Sequence, residues 1–417
     1  MTKKSPIALA ALLLALGTSA VTLLPVVAQA QTAEKKEASK EVIRAEWTKP
    51  WQEIQALITD KKYPEALEKI NALSKFENKT PYENFFLSRT KAVIASSTNN
   101  TDLLASCFEE MIGSEFLTAA EKLKYNEAMA GTYYNAKRYK EAQVWTKRYL
   151  AVEPNNTVMQ DLEVQNYYLT DDFVNAAKAV TVQIAADEAA KRVPGETRLR
   201  LLHGASMKMK DIAGSTRALE LLVKYHPTKD YWADLLYRLP SKQGFNDRLR
   251  LDWYRLLLAT ETMEDGSQFM EMAETAMLAG LPLEAKQIME AGYKLNLLGV
   301  GKTVAKHKPL LEKATKQAAE DAKTLDAGEA SAKAAKTGLG MVNMGYNLVI
   351  HGQHERGINL IEQGLAKGGL KAPEEAKLHL GMAYLQAGNK VKAHEVFKSI
   401  QGTDGIVELA NYWMLMK

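Results

Sequence analysis

The sequence predicts an all-α protein, an α-solenoid of helix-turn-helix repeats. From Trp47 onward, apolar residues recur at i, i+3, i+4 and i+7 in stretches of twelve to sixteen residues, which is the spacing of one helix face. Short Gly, Asn, Asp or Pro signals separate these stretches, and no alternation of apolar and polar residues indicates a strand. Small residues also recur at intervals of 34 to 42 residues, or about twice that, which indicates repeated helix pairs.

The first thirty residues differ from the rest and predict export. Two lysines precede an apolar run over residues 7–27, and the run is followed by Ala-Gln-Ala at 28–30, small residues of the kind that signal peptidase requires. We expect residues 1–30 to be a cleaved signal peptide, so the mature chain would start at Gln31 in the periplasm. An uncleaved membrane anchor is the alternative, because the apolar run is long.

Composition excludes several classes of function. Lys+Arg 54 against Asp+Glu 50 leaves a formal charge of +4, which does not indicate nucleic-acid binding. The only cysteine, Cys107, rules out an internal disulfide, and its apolar surroundings favour a small buried residue over a catalytic thiol. Residues 31–41 are polar and charged without an aromatic residue, so we predict a flexible leader over residues 31–45. After signal cleavage we expect no stable membrane insertion.

The clearest repeat is the segment LHLGMAYLQAGNKVKAHEVF, which contains Leu380, Gly381, Tyr384, Ala393 and Phe397. Glycine in a helix interior costs about 1 kcal/mol relative to alanine, so its presence predicts a compensating close contact between two helices. We expect Gly381 on the first helix and Ala393 on the second, at the point where they cross. The order and spacing of these five residues resemble the tetratricopeptide repeat family.

Further copies extend this resemblance over most of the chain. Strong copies place Ala142 and Ala285 at the second-helix position, and a degenerate copy places Gly357 there. The weaker copies place Ala66, Ala105, Ala176 and Ala218 there. The resemblance implies that the helix pairs stack into a right-handed superhelix with a concave groove lined by the first helices.

The repeat spacing also predicts how the chain is divided. We expect a divergent array over residues 46–300, an Ala- and Lys-rich helical insertion over 301–340 and C-terminal repeats over 341–417. The two double-length gaps predict hidden helix pairs, although the second gap has few large apolar residues and also fits one long, partly exposed helix.

The resemblance implies where a partner binds. The groove-facing residues of the repeats are Glu127, Tyr134, Asp161, Gln165, Tyr168, Met270, Glu274, Met277, Met382 and Gln386. Family members that clamp a terminal carboxylate have lysine and asparagine where this chain has Glu127 and Asp161, so we do not expect a carboxylate clamp. Tyrosine and methionine favour an adaptable, half-apolar groove for a protein segment. Alternatively, these side chains pack against neighbouring helices.

No motif predicts chemistry. The pair His351 and His354 falls in a predicted turn and supplies two ligands where zinc needs three or four. The 16 methionines fit gap-filling in imperfect repeats better than a copper site. A phosphate-binding loop, a nucleophile elbow and an H-E-x-x-H motif are all absent from the sequence. We therefore expect no catalytic residue, no cofactor, no metal and no enzyme activity.

The function is predicted only as a class. The segments GLPLEAKQIMEAG and GGLKAPEEAKLHLGMAYLQAG are similar to periplasmic repeat proteins encoded beside TonB-ExbB-ExbD energy-transduction systems. This similarity implies a non-catalytic scaffold that binds protein partners in the cell envelope. The alternative is a solenoid that cleaves or binds peptidoglycan or another glycan. A cleaving enzyme needs a compact catalytic domain, for which the repeats leave little chain.

Overall fold

The structure is a computed structural model that describes residues 41–301 and 304–416. The predicted signal peptide, its cleavage site and residues 31–40 of the leader lie outside these ranges. The chain divides into two compact units, and the division falls inside the array predicted over residues 46–300. The first unit is the described part of Met1–Lys191 with Lys208–Lys210, and the second is the described part of Arg192–Met207 and Asp211–Lys417.

The first unit contains eight α-helices in its described residues, and each helix contacts the next one along the chain. They are α1 (Thr48–Thr59), α2 (Tyr63–Ser74), α3 (Pro81–Ser97), α4 (Thr101–Ile112), α5 (Ala119–Asn135), α6 (Tyr139–Leu150), α7 (Thr157–Leu169) and α8 (Phe173–Ala189). A 3₁₀ turn at Ala45–Trp47 precedes them.

The second unit contains twelve α-helices in the residues that the structure describes. They are α9 (Glu196–Lys208), α10 (Ile212–Tyr225), α11 (Lys229–Arg238), α12 (Arg250–Ala259), α13 (Gly266–Leu278), α14 (Pro282–Lys294), α15 (Val304–Ala334), α16 (Leu339–Ile350), α17 (His354–Lys367), α18 (Pro373–Gln386), α19 (Lys390–Lys398) and α20 (Ile406–Leu415). Across both described ranges no strand forms, which confirms the all-α prediction. None of these helices has both the length and the apolar character of a membrane span.

Eight helix pairs share one three-residue turn. Its middle residue adopts positive φ in every case: Lys61, Asn99, Lys137, Asp171, Lys210, Gly280, Gly352 and Gly388. The N–H of the following residue donates to the carbonyl five positions earlier, at 2.8 to 2.9 Å in all eight turns. This left-handed closure satisfies the last carbonyls of the first helix and reverses the chain at once. The recurring turn confirms the predicted helix-turn-helix repeat.

The turn fixes the register of every second helix. Five residues after each positive-φ residue stand Ala66, Leu104, Ala142, Ala176, Ser215, Ala285, Gly357 and Ala393, all of them buried. Six predicted positions are thereby confirmed. The predictions of Ala105 and Ala218 are wrong by one and three residues, because the turns place Leu104 and Ser215 there instead. Ser215 fits because its hydroxyl lies 3.0 Å from Nδ1 of His203 on the facing helix.

Glycines occur where helices cross most closely. A methyl group added at Gly345 on α16 would lie 2.7 Å from the carbonyl oxygen of Gly357 on α17, so backbone touches backbone there. For Gly381 on α18, the three atoms nearest to an added methyl all belong to the ring of Phe397 on α19. The prediction that Gly381 marks a close crossing is confirmed, but the side chain that fills its space is Phe397 rather than Ala393.

The double-length gaps have different structures. The first contains two helices, α11 and α12, as predicted. The second contains α15, a single helix of 31 residues with Pro309 inside it, so the long-helix alternative is correct there. α15 buries a spaced series of mostly small side chains, namely Ala314, Ala318, Leu325 and Ala332. His351 Nε2, in the turn before α17, lies 2.9 Å from Asp321 on α15 and helps to dock the long helix.

The described end of the predicted leader contacts the first unit. Arg44 lies 2.7 Å from the carboxylate of Glu83, whose side chain is almost completely buried. Trp47 is also buried. Arg44, near the C-terminal end of the leader predicted over residues 31–45, is thus tied to α3 by this ion pair.

The last helix closes the second unit. α20 contacts α10, α12 and α18, and it buries Leu409 and Tyr412 among them. Just before α20, the carbonyl oxygen of Asp404 accepts a hydrogen bond of 3.0 Å from the backbone N–H of Asn246. The second unit is therefore not a simple row of hairpins, because its C-terminal helix returns to helices that lie far earlier in the sequence.

Candidate functional site

The first helices of two neighbouring hairpins in the first unit form a continuous surface. The hydroxyl of Tyr134 on α5 donates a hydrogen bond of 2.7 Å to Oε1 of Gln165 on α7. We call the surface formed by Glu127, Tyr134, Gln165 and Tyr168 the tyrosine face; all four side chains are partly exposed. The structure thus brings together the residues that the sequence predicted for this part of the groove, and Asp161 lies on α7 one turn before Gln165.

The two tyrosines occupy the same environment in successive hairpins. The ring of Tyr134 lies 5.5 Å from that of Tyr139 in an edge arrangement, and the ring of Tyr168 lies 5.3 Å from that of Phe173 in the same way. In both cases the partner is the first residue of the second helix. Each ring is therefore fixed on one side by its own hairpin, while the partly exposed remainder is available to a ligand.

The groove residues predicted in the second unit are placed differently. Met270 and Met382 are only 8% and 3% exposed, so they pack inside the unit, as the alternative interpretation expected. Their unbranched side chains fill space between helices rather than line an open surface. Glu274 and Gln386 are exposed, and Met277 is partly exposed.

A buried charge cluster lies on α12, α14, α16 and α18 of the second unit. Nε and Nη2 of Arg255 donate hydrogen bonds to the two carboxylate oxygens of Glu284, at 2.7 Å each. Nη1 of Arg255 donates to Oδ1 of Asp252 at 2.6 Å. The guanidinium carbon also lies 4.7 Å from the centre of the Tyr346 ring. A paired, hydrogen-bonded and ring-stacked guanidinium is one of the few ways in which a charge is stable at this depth. We call Asp252, Arg255, Glu284, Tyr346 and His379 the Arg255 cluster.

His379 completes the Arg255 cluster. Its Nε2 lies 3.0 Å from Oδ1 of Asp252, and its ring stacks on that of Tyr346 at 4.8 Å. Burial alone raises the pKa of Asp252, but the charges of His379 and Arg255 and their hydrogen bonds outweigh it and lower the pKa to about 2. Burial raises the pKa of Tyr346. The cluster therefore holds its charges in fixed pairs.

A cleft of about 300 Å³ opens beside the Arg255 cluster. Leu281 and Leu339 supply apolar wall, and Asn343 and Glu375 supply polar wall. Arg248 spans the rim, because it lies 2.9 Å from Glu375 and 2.7 Å from Asp404. The charged side chains of the cleft, Arg248 and Arg255, are thus already paired with carboxylates of the same unit. Such pairs suit a role in joining helices.

Three side chains in this cleft have the chemistry of metal ligands. One donor atom each from Asp252, Glu375 and His379 lie within 4.8 Å of one another. However, Arg255 is bound to Asp252 and Arg248 to Glu375, so a metal cation would have to displace both guanidinium groups. The residues present do not fit a metal ion.

The sequence carries a signal for the Arg255 cluster in the helix that holds two of its members. The helix that carries Asp252 and Arg255 reads RLDWYRLLLA, in which a carboxylate and a guanidinium stand three positions apart among large apolar residues. All residues from Leu251 to Leu257 are buried. Oppositely charged residues at i and i+3 in an apolar helix indicate a buried ion pair.

No protein-family model matches the chain, and no curated protein matches it. Among solved structures, yeast Tom70 is 9% identical over 88% of this chain and 94% of that chain, with a TM-score of 0.21. The TPR domain of P58(IPK) is 13% identical over 89% of this chain and 98% of that chain, also with a TM-score of 0.21. The helix-turn-helix architecture is established by this chain's own turns and crossings.

Proposed function

We propose that the protein is a non-catalytic scaffold that binds protein partners through the tyrosine face of its first unit. The observation that supports this most strongly is the Tyr134 to Gln165 hydrogen bond, because it aligns the first helices of two hairpins into one surface. Partly exposed tyrosines on a rigid surface lose little rotamer entropy on binding and often dominate binding energy.

The apolar residues around this face support the same proposal. Val158 and Leu169, at the two ends of α7, are 56% and 45% exposed. Together with the two tyrosine rings they offer a half-apolar strip, with Glu127 and Gln165 as polar elements. Such a mixture suits recognition of an extended or helical protein segment.

We further propose that the scaffold works in the bacterial periplasm, as an accessory of an envelope energy-transduction or export machine. The N-terminal lysines, apolar run and Ala-Gln-Ala sequence support export, and the similarity to repeat proteins encoded beside TonB-ExbB-ExbD systems supports the machine. Sequencing the N terminus of the native protein tests export: the expected first residue is Gln31. A retained Met1 in a membrane fraction would contradict it.

Cross-linking in cells followed by affinity capture tests the binding function. The double variant Tyr134→Ala/Tyr168→Ala should lose the partners that the wild type captures, while its helicity and melting temperature show that it remains folded. A folded double variant that still captures every wild-type partner would refute the tyrosine face as the binding surface.

A milder variant controls for packing, because both tyrosines also contact their own hairpins. Tyr134→Phe keeps the ring and its contact with Tyr139 and removes only the bond to Gln165. It should retain most binding. If Tyr134→Phe and the double alanine variant lose partners only in step with helicity, the tyrosines are structural instead.

Incubation with purified peptidoglycan tests the competing class. A scaffold releases no soluble muropeptides, whereas a cleaving enzyme does. Release by the wild-type protein, detected by liquid chromatography, would overturn the non-catalytic proposal.

A further inference from the structure

We infer that the tyrosine face recognises a partner segment carrying an arginine and, three positions away, an apolar or aromatic residue. This inference rests on the proposed function and adds the chemistry of the partner. It depends on the charge of Glu127, on the distance between Glu127 and the tyrosine on the same helix, and on how this chain already holds a guanidinium elsewhere.

Glu127 is a carboxylate without a basic partner. It lies partly exposed on α5, and within the described residues it makes no hydrogen bond or ion pair. By contrast, Glu109 and Glu141 of the same unit are paired with Arg148 and Arg138. A cationic side chain of a partner would therefore meet an unmatched negative charge at Glu127.

The spacing on the helices defines a distance. Glu127 and Tyr134 are seven residues apart on α5, and Asp161 and Tyr168 are seven apart on α7. Seven residues are close to two full turns, so each carboxylate and tyrosine lie on the same side of the helix about 10 Å apart. An extended peptide covers about 10 Å in three residues. One segment can thus place a cation at the carboxylate level and an apolar side chain on the tyrosine rings.

The chain itself shows that carboxylates on its repeat helices hold arginine. Arg255 lies between Asp252 and Glu284 and donates hydrogen bonds to both. Arginine suits Glu127 better than lysine, because its planar guanidinium can donate two hydrogen bonds to one carboxylate. The Tyr134 ring, about 10 Å further along α5, is left to the apolar residue of the segment.

The test uses a display library of random twelve-residue peptides selected on the full mature chain. Peptides bound by the wild type should be enriched in one pattern. This pattern is an arginine with an apolar or aromatic residue three positions before or after it. Glu127→Lys should abolish this enrichment. Glu68→Lys, a matched charge reversal at an exposed position on α2, should leave it intact.

Affinities of one selected peptide, measured by fluorescence anisotropy, give the magnitude. Glu127→Lys should weaken binding by about tenfold or more, since it removes an attraction and adds a repulsion, and raised salt should weaken the wild type in the same direction. Circular dichroism of each variant checks that it is folded.

Other outcomes separate this inference from the proposed function. If the selected peptides depend on Tyr134 and Tyr168 but show no arginine preference, or bind Glu127→Lys equally well, the inference is wrong and the binding face stands. If the double tyrosine variant selects the same peptides as the wild type, the proposed binding face is wrong as well.

Discussion

The two units use the same hairpin turn but present their first helices differently. In the first unit Tyr134 and Tyr168 are partly exposed, whereas in the second unit Tyr346 on α16 is 2% exposed beneath Arg255. The eight turns are alike, so hairpin geometry does not decide whether a first-helix surface is available to a partner. Residues outside the hairpin decide whether the surface is available. In the second unit Arg255 from α12 covers the ring of Tyr346 on α16.

The contacts between helices differ in the same way. Each helix of the first unit is held by its neighbours in sequence, as in a linear repeat array. The second unit adds the return of α20 and the ion pairs of Arg248 with Glu375 and Asp404. We therefore expect the first unit to be the binding module and the second to be the more cooperative folding unit.

The largest expected effect comes from breaking the Arg255 cluster. Arg255→Ala leaves Glu284 without its guanidinium partner and Asp252 with His379 alone, and it should cost about 3 to 5 kcal/mol of unfolding free energy. Hydrogen exchange resolved by mass spectrometry should show faster exchange in the second unit and unchanged exchange in α1 to α8. Arg148→Ala, which removes the exposed pair with Glu109, should change little. Equal effects of the two variants would contradict the difference between the units.

Glycine substitutions distinguish two crossings within the second unit. Gly345→Ala presses a methyl group against the backbone of α17 and should cost about 1 to 3 kcal/mol. Gly381→Ala presses against a side chain, the Phe397 ring, and not against backbone, and alanine also has the better helix propensity, so the net cost should be smaller. Urea denaturation of both variants measures this difference. A larger loss for Gly381→Ala would show that the ring is the less yielding neighbour.

Gly381→Leu and Ala393→Leu test the crossing that the sequence predicted. Both add a large side chain to fully packed positions and should each cost about 1 to 3 kcal/mol in the same urea experiment. If neither changes the unfolding free energy, the assigned register of α18 and α19 is wrong.

Acid should weaken the two units at different pH. The pKa of Asp252 in the second unit falls from 3.8 to about 2, so its stabilisation is complete above about pH 4 and is lost as pH falls toward 2. The stabilisation from the lowered pKa of Asp252 amounts to about 2 kcal/mol. Arg44 lowers the pKa of Glu83 in the first unit from 4.5 to about 2, so the loss begins there at slightly higher pH.

Hydrogen exchange between pH 5 and pH 2, corrected for intrinsic rates, follows the two units separately. Asp252→Asn should reduce the acid dependence of the second unit between pH 4 and pH 2, and Glu83→Gln should reduce that of the first unit. An unchanged acid profile in either variant would show that another group controls that unit.

The smallest effect concerns the bond that aligns the tyrosine face. Tyr134→Phe removes the hydrogen bond to Gln165 and should cost about 0.5 to 1.5 kcal/mol. Thermal unfolding measures the loss. No measurable change would mean that water replaces the bond and that α5 and α7 are aligned by packing alone.

Helical periodicity and small residues predicted most of the hairpins because both follow from contacts inside one repeat. The register failed at Leu104 and Ser215 because the crossing residue there is not alanine, and the alanines assigned instead, Ala105 and Ala218, lie one and three residues later. Turns without glycine are not the cause, since Lys61 and Lys137 precede Ala66 and Ala142, which were predicted correctly.

Contacts between distant parts of the chain were not predictable. Lys242 pairs with Glu408, and Arg248 with Asp404, across more than 150 residues. Nothing in either local sequence selects its partner among the many charged residues. Met270 and Met382 are buried, and a methionine in the sequence does not distinguish packing inside a unit from lining a groove.

The measurement that tests the account most directly compares matched positions in the two units. Val158 on α7 and Leu339 on α16 lie at the same repeat position, 18 residues before the crossing residues Ala176 and Gly357, and are 56% and 48% exposed. A photo-cross-linking amino acid placed at each position in cells should form partner adducts from Val158 and none from Leu339. Adducts from Leu339 alone would contradict the claim that the first unit carries the open binding face.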